Sequence, residues 1–430
     1  MKKNVLTKAV AVALATFSAG AAFAQSSLTL YGNIDGALDN VHKGHGSDIR
    51  GNVVSGTTVT RVSPSISSQN ALGLKGTEDI GGGYKGIFIL EGQFNTDTGA
   101  QGGQDSRMWG RQAFVGLTTP VGEVRIGRQY APIFYAFATS SVESIGAADL
   151  MASGLVVNNL QVRQDNQISY WLKTGGLTGA LSYSPNAGVS NKVNGLRSTT
   201  ALQGSATNGQ IIGGISAGDE NNTGRGRSYG LYLNYAVDSD LSLMGAYHYN
   251  KFGDAVLVGT PPATSNATVL ASLDKYIGYT LGGKYTLPST GTVLAANFLQ
   301  GNFTNDAGSM TGPKVQVFSV GFKHPIDQFA VGVEGVYSRF TNFTKGKDRG
   351  VMFAGDYNFS KRTRVYTRIG TVKDTGGSSV ATDGVGVNVI GGPLPVLTTF
   401  GSTETPFFAG GSANVNAWTT VVSVGIRHQF

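Results

Sequence analysis

Seven ionisable side chains have types and positions suited to one task, the electrostatic sorting of solutes across a narrow aqueous gap. Glu143 and Asp149 are the acids of SVESIGAADLM, inside a long apolar connection. Lys75, Arg111, Arg125 and Arg163 lie on or beside segments of alternating polarity and form the candidate basic side, with Asp35 joining the acidic side. Facing charges of this kind make and break no bonds. They bias ions and orient dipolar solutes, which is the chemistry of a selective pore. The plain alternative for Glu143 and Asp149 is a pair of solvated loop acids. The segment GRQAFVGL alternates poorly, so the face that carries Arg111 is open on pattern alone.

The elements that would position these charges are strands. In SLTLYGNIDGAL, Leu28, Leu30, Gly32, Ile34, Gly36 and Leu38 form one face and Thr29, Tyr31, Asn33, Asp35 and Ala37 the other, a period of two. The same pattern recurs in GLYLNYAV, LSLMGAYHY, KYIGYTLGGKY, VQVFSVGFK, QFAVGVEGVYSRF, RTRVYTRIG and the terminal VVSVGIRHQF, sixteen segments in all. Connections alternate between tight turns such as DIGGGY, DSD and HPIDQ and long polar stretches, Val41 to Pro64, Asn95 to Met108, Asn186 to Thr223, Gly253 to Leu273 and Val372 to Ala417. That alternation describes an up-and-down meander. Segments of this length match the ~9 to 11 residues a tilted strand needs to cross hydrocarbon.

A soluble β-sandwich would also alternate, with Lys75, Glu91, Glu334, Arg364, Arg368 and Arg427 solvated on its outside. Strand length and aromatics at strand ends favour a closed barrel, the one sheet that satisfies every backbone amide inside a bilayer. The expected fold is all-β, a 16-stranded antiparallel transmembrane β-barrel. One connection, about 131–162, breaks the polar rule with Ile133, Phe134, Phe137, Leu150, Met151 and Val157. An exposed apolar patch of that size is unfavourable, so this third loop is expected to fold inward against the wall and narrow the pore.

Other functions find little support. Of five histidines, His42 and His45 lie in a polar stretch, His324 at a turn and His428 on the lipid-side register, leaving His248 as the inward one. No Ser-His-acid set emerges, so an enzyme is not expected. The glycines of DIGGGYKG lack the following helix and Lys-Ser/Thr ending of a phosphate cradle and read as a hairpin turn. Cysteine is absent, which excludes disulfides and thiolate metal sites, and no cofactor is expected. Residues 1–24, with Lys2, Lys3 and Lys8 before a short apolar run ending Ala22-Phe23-Ala24, read as a cleaved secretory signal peptide. Its removal lowers the formal charge from +7 to +4, and the remaining bases are scattered, so nucleic acid is not an expected partner. Residues 25–430 read as a single barrel.

The stretches SLTLYGNIDGAL, LGLKGTEDIGGGYKGIFILEGQF, WGRQAFVGLTTPVGEVRIGRQY, VRQDNQISY, SKRTRVYTRIG and VGIRHQF together resemble the general trimeric porins of Gram-negative outer membranes, in their β-proteobacterial branch. The resemblance implies a homotrimer in the lipid bilayer of the bacterial outer membrane, passing small hydrophilic solutes and ions. It directs Arg111 and Arg163 into the eyelet and matches Lys75 to the basic position of the GLKG motif. Ala71 stands where the family usually has an arginine, which implies a weaker basic wall, and the mild anion preference expected rests on Lys75, Arg111, Arg163 and Arg125. The resemblance also makes Phe430 a signal to the outer-membrane barrel assembly machinery. The alternative is a substrate-specific channel, but the inward aromatics Tyr31, Trp171, Tyr232, Tyr276 and Tyr366 are spread over distant strands. Long loops could also carry an adhesive epitope, and their length does not discriminate.

Overall fold

A computed structural model describes residues 26–47, 53–64, 67–102, 107–142, 163–187, 211–212, 226–259, 268–305, 314–341, 347–375 and 416–430. The chain forms a closed 16-stranded antiparallel barrel. Its first half runs β1 (Ser27–Lys43), β2 (Thr57–Pro64 and, after a break, Ala71–Gly81), β3 (Tyr84–Phe94), β4 (Gln112–Thr119) and β5 (Gly122–Tyr130). After helix α1 (Pro132–Thr139) come β6 (Arg163–Thr174), β7 (Leu177–Ser184) and β8 (Ser228–Ala236). The second half is β9 (Leu241–Gly259), β10 (Thr268–Thr286), β11 (Val293–Asn305), β12 (Lys314–Ile326), β13 (Phe329–Thr341), β14 (Lys347–Asn358), β15 (Thr363–Thr375) and β16 (Trp418–Gln429).

Two stretches expected as polar loop are partly wall. Thr57–Pro64 pairs with β1, setting Val59 opposite Val41, and β9 and β10 extend to Gly259 and back from Thr268. Threonine explains the first, since TTVTRVSP reads polar but is rich in β-branched residues that favour strands.

The barrel is polar inside and apolar outside. On β1 the outward Leu28 and Leu38 are 70% and 62% exposed, whereas the inward Asp35 is 0% exposed. Burying one such leucine gains ~1.5 to 3 kcal/mol, so an exterior lined with them requires hydrocarbon, not water. Outward aromatics form two rows. Towards the long loops, Tyr183, Tyr229 and Tyr249 lie ring to ring, as do Tyr279, Phe298, Phe318 and Tyr337 on β10 to β13. At the tight turns Phe329, Tyr357 and Phe359 do the same. Phe329 and Tyr337 are eight residues apart on β13, or ~26 Å along a strand rising ~3.3 Å per residue. Tilt shortens that toward the ~25 Å apolar band of such barrels.

Closure joins β1 to β16, from Asn33 opposite Gln429 to Lys43 opposite Thr419. The terminal residue completes the ladder. Phe430 N–H donates to Gly32 O at 3.2 Å and Gly32 N–H to Phe430 O at 3.1 Å. The β2–β3 turn is a hairpin in which Gly81, Gly82 and Gly83 all have positive φ (+90°, +61° and +83°), a run that L side chains resist.

Candidate functional site

The charged site is built where β5 ends and β6 begins. Tyr130 and Arg163 are directly paired across these strands. Just beyond, a bulge sets Asp165 and Asn166 against Arg128 alone, with Asn166 at φ +52°. Bulges of this kind re-aim side chains beside functional sites. Here Asp165 accepts from Arg128 and, at 2.7 and 2.8 Å, from Arg107. Arg128 Nε also donates to Gly110 O at 2.7 Å. The segment carrying Arg111 is therefore tied to β6 by a buried ionic anchor.

Arg111 precedes the first residue of β4 and so escapes the strand's alternation. Its N–H donates to Glu91 O at 3.1 Å, and its side chain turns inward to the carboxylate of the same residue, Nε to Oε1 at 2.5 Å. It also donates to Gln69 Oε1 at 2.6 Å, an oxygen that receives Arg163 at 3.2 Å. Both guanidiniums flank the Tyr130 ring, at 5.9 and 5.1 Å from its centroid. On the other side of Glu91, Tyr31 Oη donates to Oε2 at 2.8 Å, and Lys75 Nζ lies 5.3 Å from the Tyr31 ring. Lys75, Arg111 and Arg163 thus belong to one continuous polar row.

Facing this row is α1, started by Pro132 at its first turn. Ile133 and Ala136 pack on Ala180, Tyr232, Met244 and Ala246, inward side chains of β7 to β9. Tyr135 lies edge-on to Trp171 at 4.9 Å, and burial pushes its phenol well above the usual tyrosine range. Beyond the helix, Ser140 accepts from Asn297 and Lys284 Nζ approaches Ser141 O at 3.4 Å. Gly282 leaves room for Ser140, since a Cβ there would stand 2.5 Å from the serine Cβ. Between the arginine row and this wall lies a cavity of about 640 Å³, with Gln69, Glu91 and Arg111 on one side and Asn234, Ser242 and Lys284 on the other.

The remaining expected residues fall elsewhere. Arg125 lies over Trp171 and Phe114, at 4.7 and 5.2 Å, with Nε 2.5 Å from Glu123 Oε1. Its charge is shared with that neighbouring acid. Asp35 is fully buried in the wall, accepting from Tyr366 Oη and from the N–H groups of Ser67 and Ser68 at 2.8 and 2.7 Å. It staples the break in β2 to β1 instead of presenting a carboxylate to the cavity. Glu143 and Asp149, like the signal segment 1–24 and most of the connection 131–162, lie outside the described residues. Phe430 lays its ring over Gly32, where a Cβ would meet Cζ at 2.4 Å.

Four side chains of the site were not singled out by sequence. Glu91 was legible only as an inward acid. Lys284 stands on the inward parity of KYIGYTLGGKY and could have been found there. Tyr130 and Gln69 give no periodic signal, because one ends a strand and the other precedes one. A second inward cluster gathers Lys323, Arg364 and Arg368 around Asp356 at 2.7, 3.1 and 2.8 Å. Among the described residues no three His, Cys, Asp or Glu side chains form a metal-binding group.

A family model described as Gram-negative porin matches residues 9–377. The chain is 27% identical to outer membrane porin protein 32 of Delftia acidovorans over the full length of both. It is 29% identical to an outer membrane porin protein of Bordetella pertussis, over 76% of this chain and 91% of that one. Among solved structures, an anion-selective porin from Comamonas acidovorans superposes with a TM-score of 0.66 at 22% identity, covering 94% of this chain and all of the other. The trimer form of OmpT from Vibrio cholerae superposes at 0.61 with 11% identity, over 94% and 99% of the two chains.

Proposed function

The chain belongs to the Gram-negative porin family, and we infer from that membership and from the arginine row that it is a general diffusion pore with a mild preference for anions. As a member of that family it resides in the bacterial outer membrane and lets small hydrophilic solutes pass through a water-filled barrel.

One observation carries the anion preference. Glu91, the carboxylate among the described residues lining the cavity, is engaged by Arg111 and Tyr31. Arg111 and Lys284 line the same cavity and Arg163 stands beside it. Cations therefore outnumber carboxylates among the described residues of the aperture. A unit charge ~7 Å from a passing ion at an effective dielectric near 20 interacts by ~2 kcal/mol. That is a few kT, enough to bias passage without trapping the ion, as conduction requires. Glu143 and Asp149, which follow α1 in sequence, are the proposed acidic counterpart, and they temper the preference. Ala71, in place of a further base, does the same.

The name of the Comamonas protein, anion-selective porin, supports this sign. The trimer form recorded for OmpT supports a homotrimer here as well. Phe430, seated on Gly32 beside the β1–β16 seam, is the proposed signal to the barrel assembly machinery. A substrate-specific channel would need a continuous track of aromatics or paired charges. Liposome swelling with uncharged sugars of increasing size separates the two. A smooth, non-saturating fall with solute size is expected, and saturable uptake of one solute overturns the general pore.

A further inference from the structure

The break in β2 holds more chain than the facing strand has room for. Gly36 of β1 is paired with Pro64 and Asn33 with Ala71, so the register that takes two residues in β1 takes six, 65–70, in β2. A surplus of that size leaves the sheet, and the contacts of residues 67–70 turn it into the lumen. Ser67 and Ser68 donate their N–H groups to one oxygen of the buried, inward Asp35 at 2.8 and 2.7 Å. Tyr366 donates to the other oxygen, and Arg364, inward on the same strand as Tyr366, donates to Ser67 Oγ. Asn33 Nδ2 donates to Gln69 O at 3.1 Å, and Asn70 Oδ1 accepts the N–H of Asp35.

These anchors deliver one side chain to the arginine row. Gln69 Oε1 accepts from Arg111 at 2.6 Å and from Arg163 at 3.2 Å. Arg111 also has the Glu91 carboxylate, whereas among the described residues no second oxygen receives the Arg163 side chain. The amide must turn its oxygen to the two guanidiniums, because its nitrogen, like theirs, only donates. It joins two like charges without discharging either. A carboxylate in its place would cancel one of them. Ser68 and Gln69 both line the cavity, and Ala71, two residues on, brings no charge to it.

We propose that Gln69 is a specificity-determining residue of the pore, a neutral acceptor carried into the lumen by residues 67–70, and that Asp35 is the positioning residue that holds it there. The proposal rests on the reading of this cavity as the aperture. Asp35 shapes selectivity without facing a permeating ion, through two backbone N–H groups and the side chain that follows them.

Zero-current potentials of the full-length protein in planar bilayers under a KCl gradient test both parts. Gln69→Glu is expected to move the chloride-to-potassium permeability ratio toward potassium by at least about threefold. Gln300→Glu adds the same charge at a buried inward position of β11 outside the cavity and is expected to move the ratio by less than half as much. Asp35→Asn keeps an oxygen for the two serine N–H groups, so the Gln69→Glu shift is expected to survive in that background. In the Asp35→Ala background the shift is expected to shrink by at least half. If Asp35→Ala does not assemble, Asp35→Ser, one atom too short for both N–H groups, gives the same reading. Equal shifts from Gln69→Glu and Gln300→Glu overturn the part given to Gln69, and an undiminished shift in the Ala or Ser background overturns the part given to Asp35. Each comparison is between variants, so a wild type without anion preference contradicts the proposed sign while a larger shift from Gln69→Glu than from Gln300→Glu still supports Gln69.

Discussion

Arg111 and Arg163 converge on the same two groups, the face of Tyr130 and the side-chain oxygen of Gln69, although one precedes β4 and the other opens β6. Tyrosine faces attract cations by ~0.5 to 2 kcal/mol each, which offsets part of the repulsion between the guanidiniums. The pair therefore holds a fixed pose beside the cavity that Arg111 lines. Tyr130→Leu is expected to loosen both arginines and to broaden the distribution of single-channel conductances while leaving the charge count intact. Single-channel recording distinguishes this from simple charge loss, which would move the mean.

Glu91 is the counterweight in the row. Glu91→Gln keeps the volume and removes the charge that Arg111 and Tyr31 engage. Hydrogen bonds to charged groups contribute ~1.5 to 3 kcal/mol, so a loss of stability of about 2 kcal/mol is expected by denaturant unfolding. The same variant is expected to prefer anions more strongly than wild type.

Asp356 is surrounded by Lys323, Arg364 and Arg368, the last fully buried. Removing one partner from a buried ionic cluster costs ~3 to 5 kcal/mol, because the charges left behind lack compensation. Asp356→Ala is expected to fall in that range. A loss under about 1 kcal/mol would mean that water already reaches the cluster.

Gly282 is where the wall admits the chain after α1. A side chain there meets Ser140, so Gly282→Val is expected to push the loop off β10 and raise single-channel conductance. The exterior of the barrel is untouched, so its thermal stability should change little.

Phe430 and Gly32 share one space. Phe430→Ala is expected to slow assembly into the outer membrane while each assembled pore conducts normally. Gly32→Val is expected to do the same by displacing the ring. The double variant should be less impaired than the sum of the singles, because the two side chains compete for one site. Quantifying folded barrel by heat-modifiable gel mobility reads all three.

Much of the wall was legible because a period of two leaves few alternatives. On β1 the inward set Asn33, Asp35 and Ala37 and the outward set Leu28, Leu30 and Leu38 emerge as expected. Thr57–Pro64 was not, since threonine counts as polar in a pattern but as β-branched in a strand. Directions near strand ends were also hidden. Arg111 turns inward because the Glu91 carbonyl and carboxylate hold it, and no periodicity encodes that. Asp35 has the expected inward parity, yet its partner Tyr366 is 331 residues away, and only barrel closure makes the contact that buries it. Long-range pairing of this kind leaves no local trace.

The sign of the pore's selectivity is tested most directly by zero-current potentials across planar bilayers under a KCl gradient, for wild type and for Arg111→Ala with Arg163→Ala. Wild type is expected to reverse on the anion side, with the preference fading as salt shortens the Debye length below ~8 Å. The double variant should reverse near zero. A wild-type reversal on the cation side, or an anion preference untouched by losing both arginines, contradicts the role given to the Arg111 and Arg163 pair.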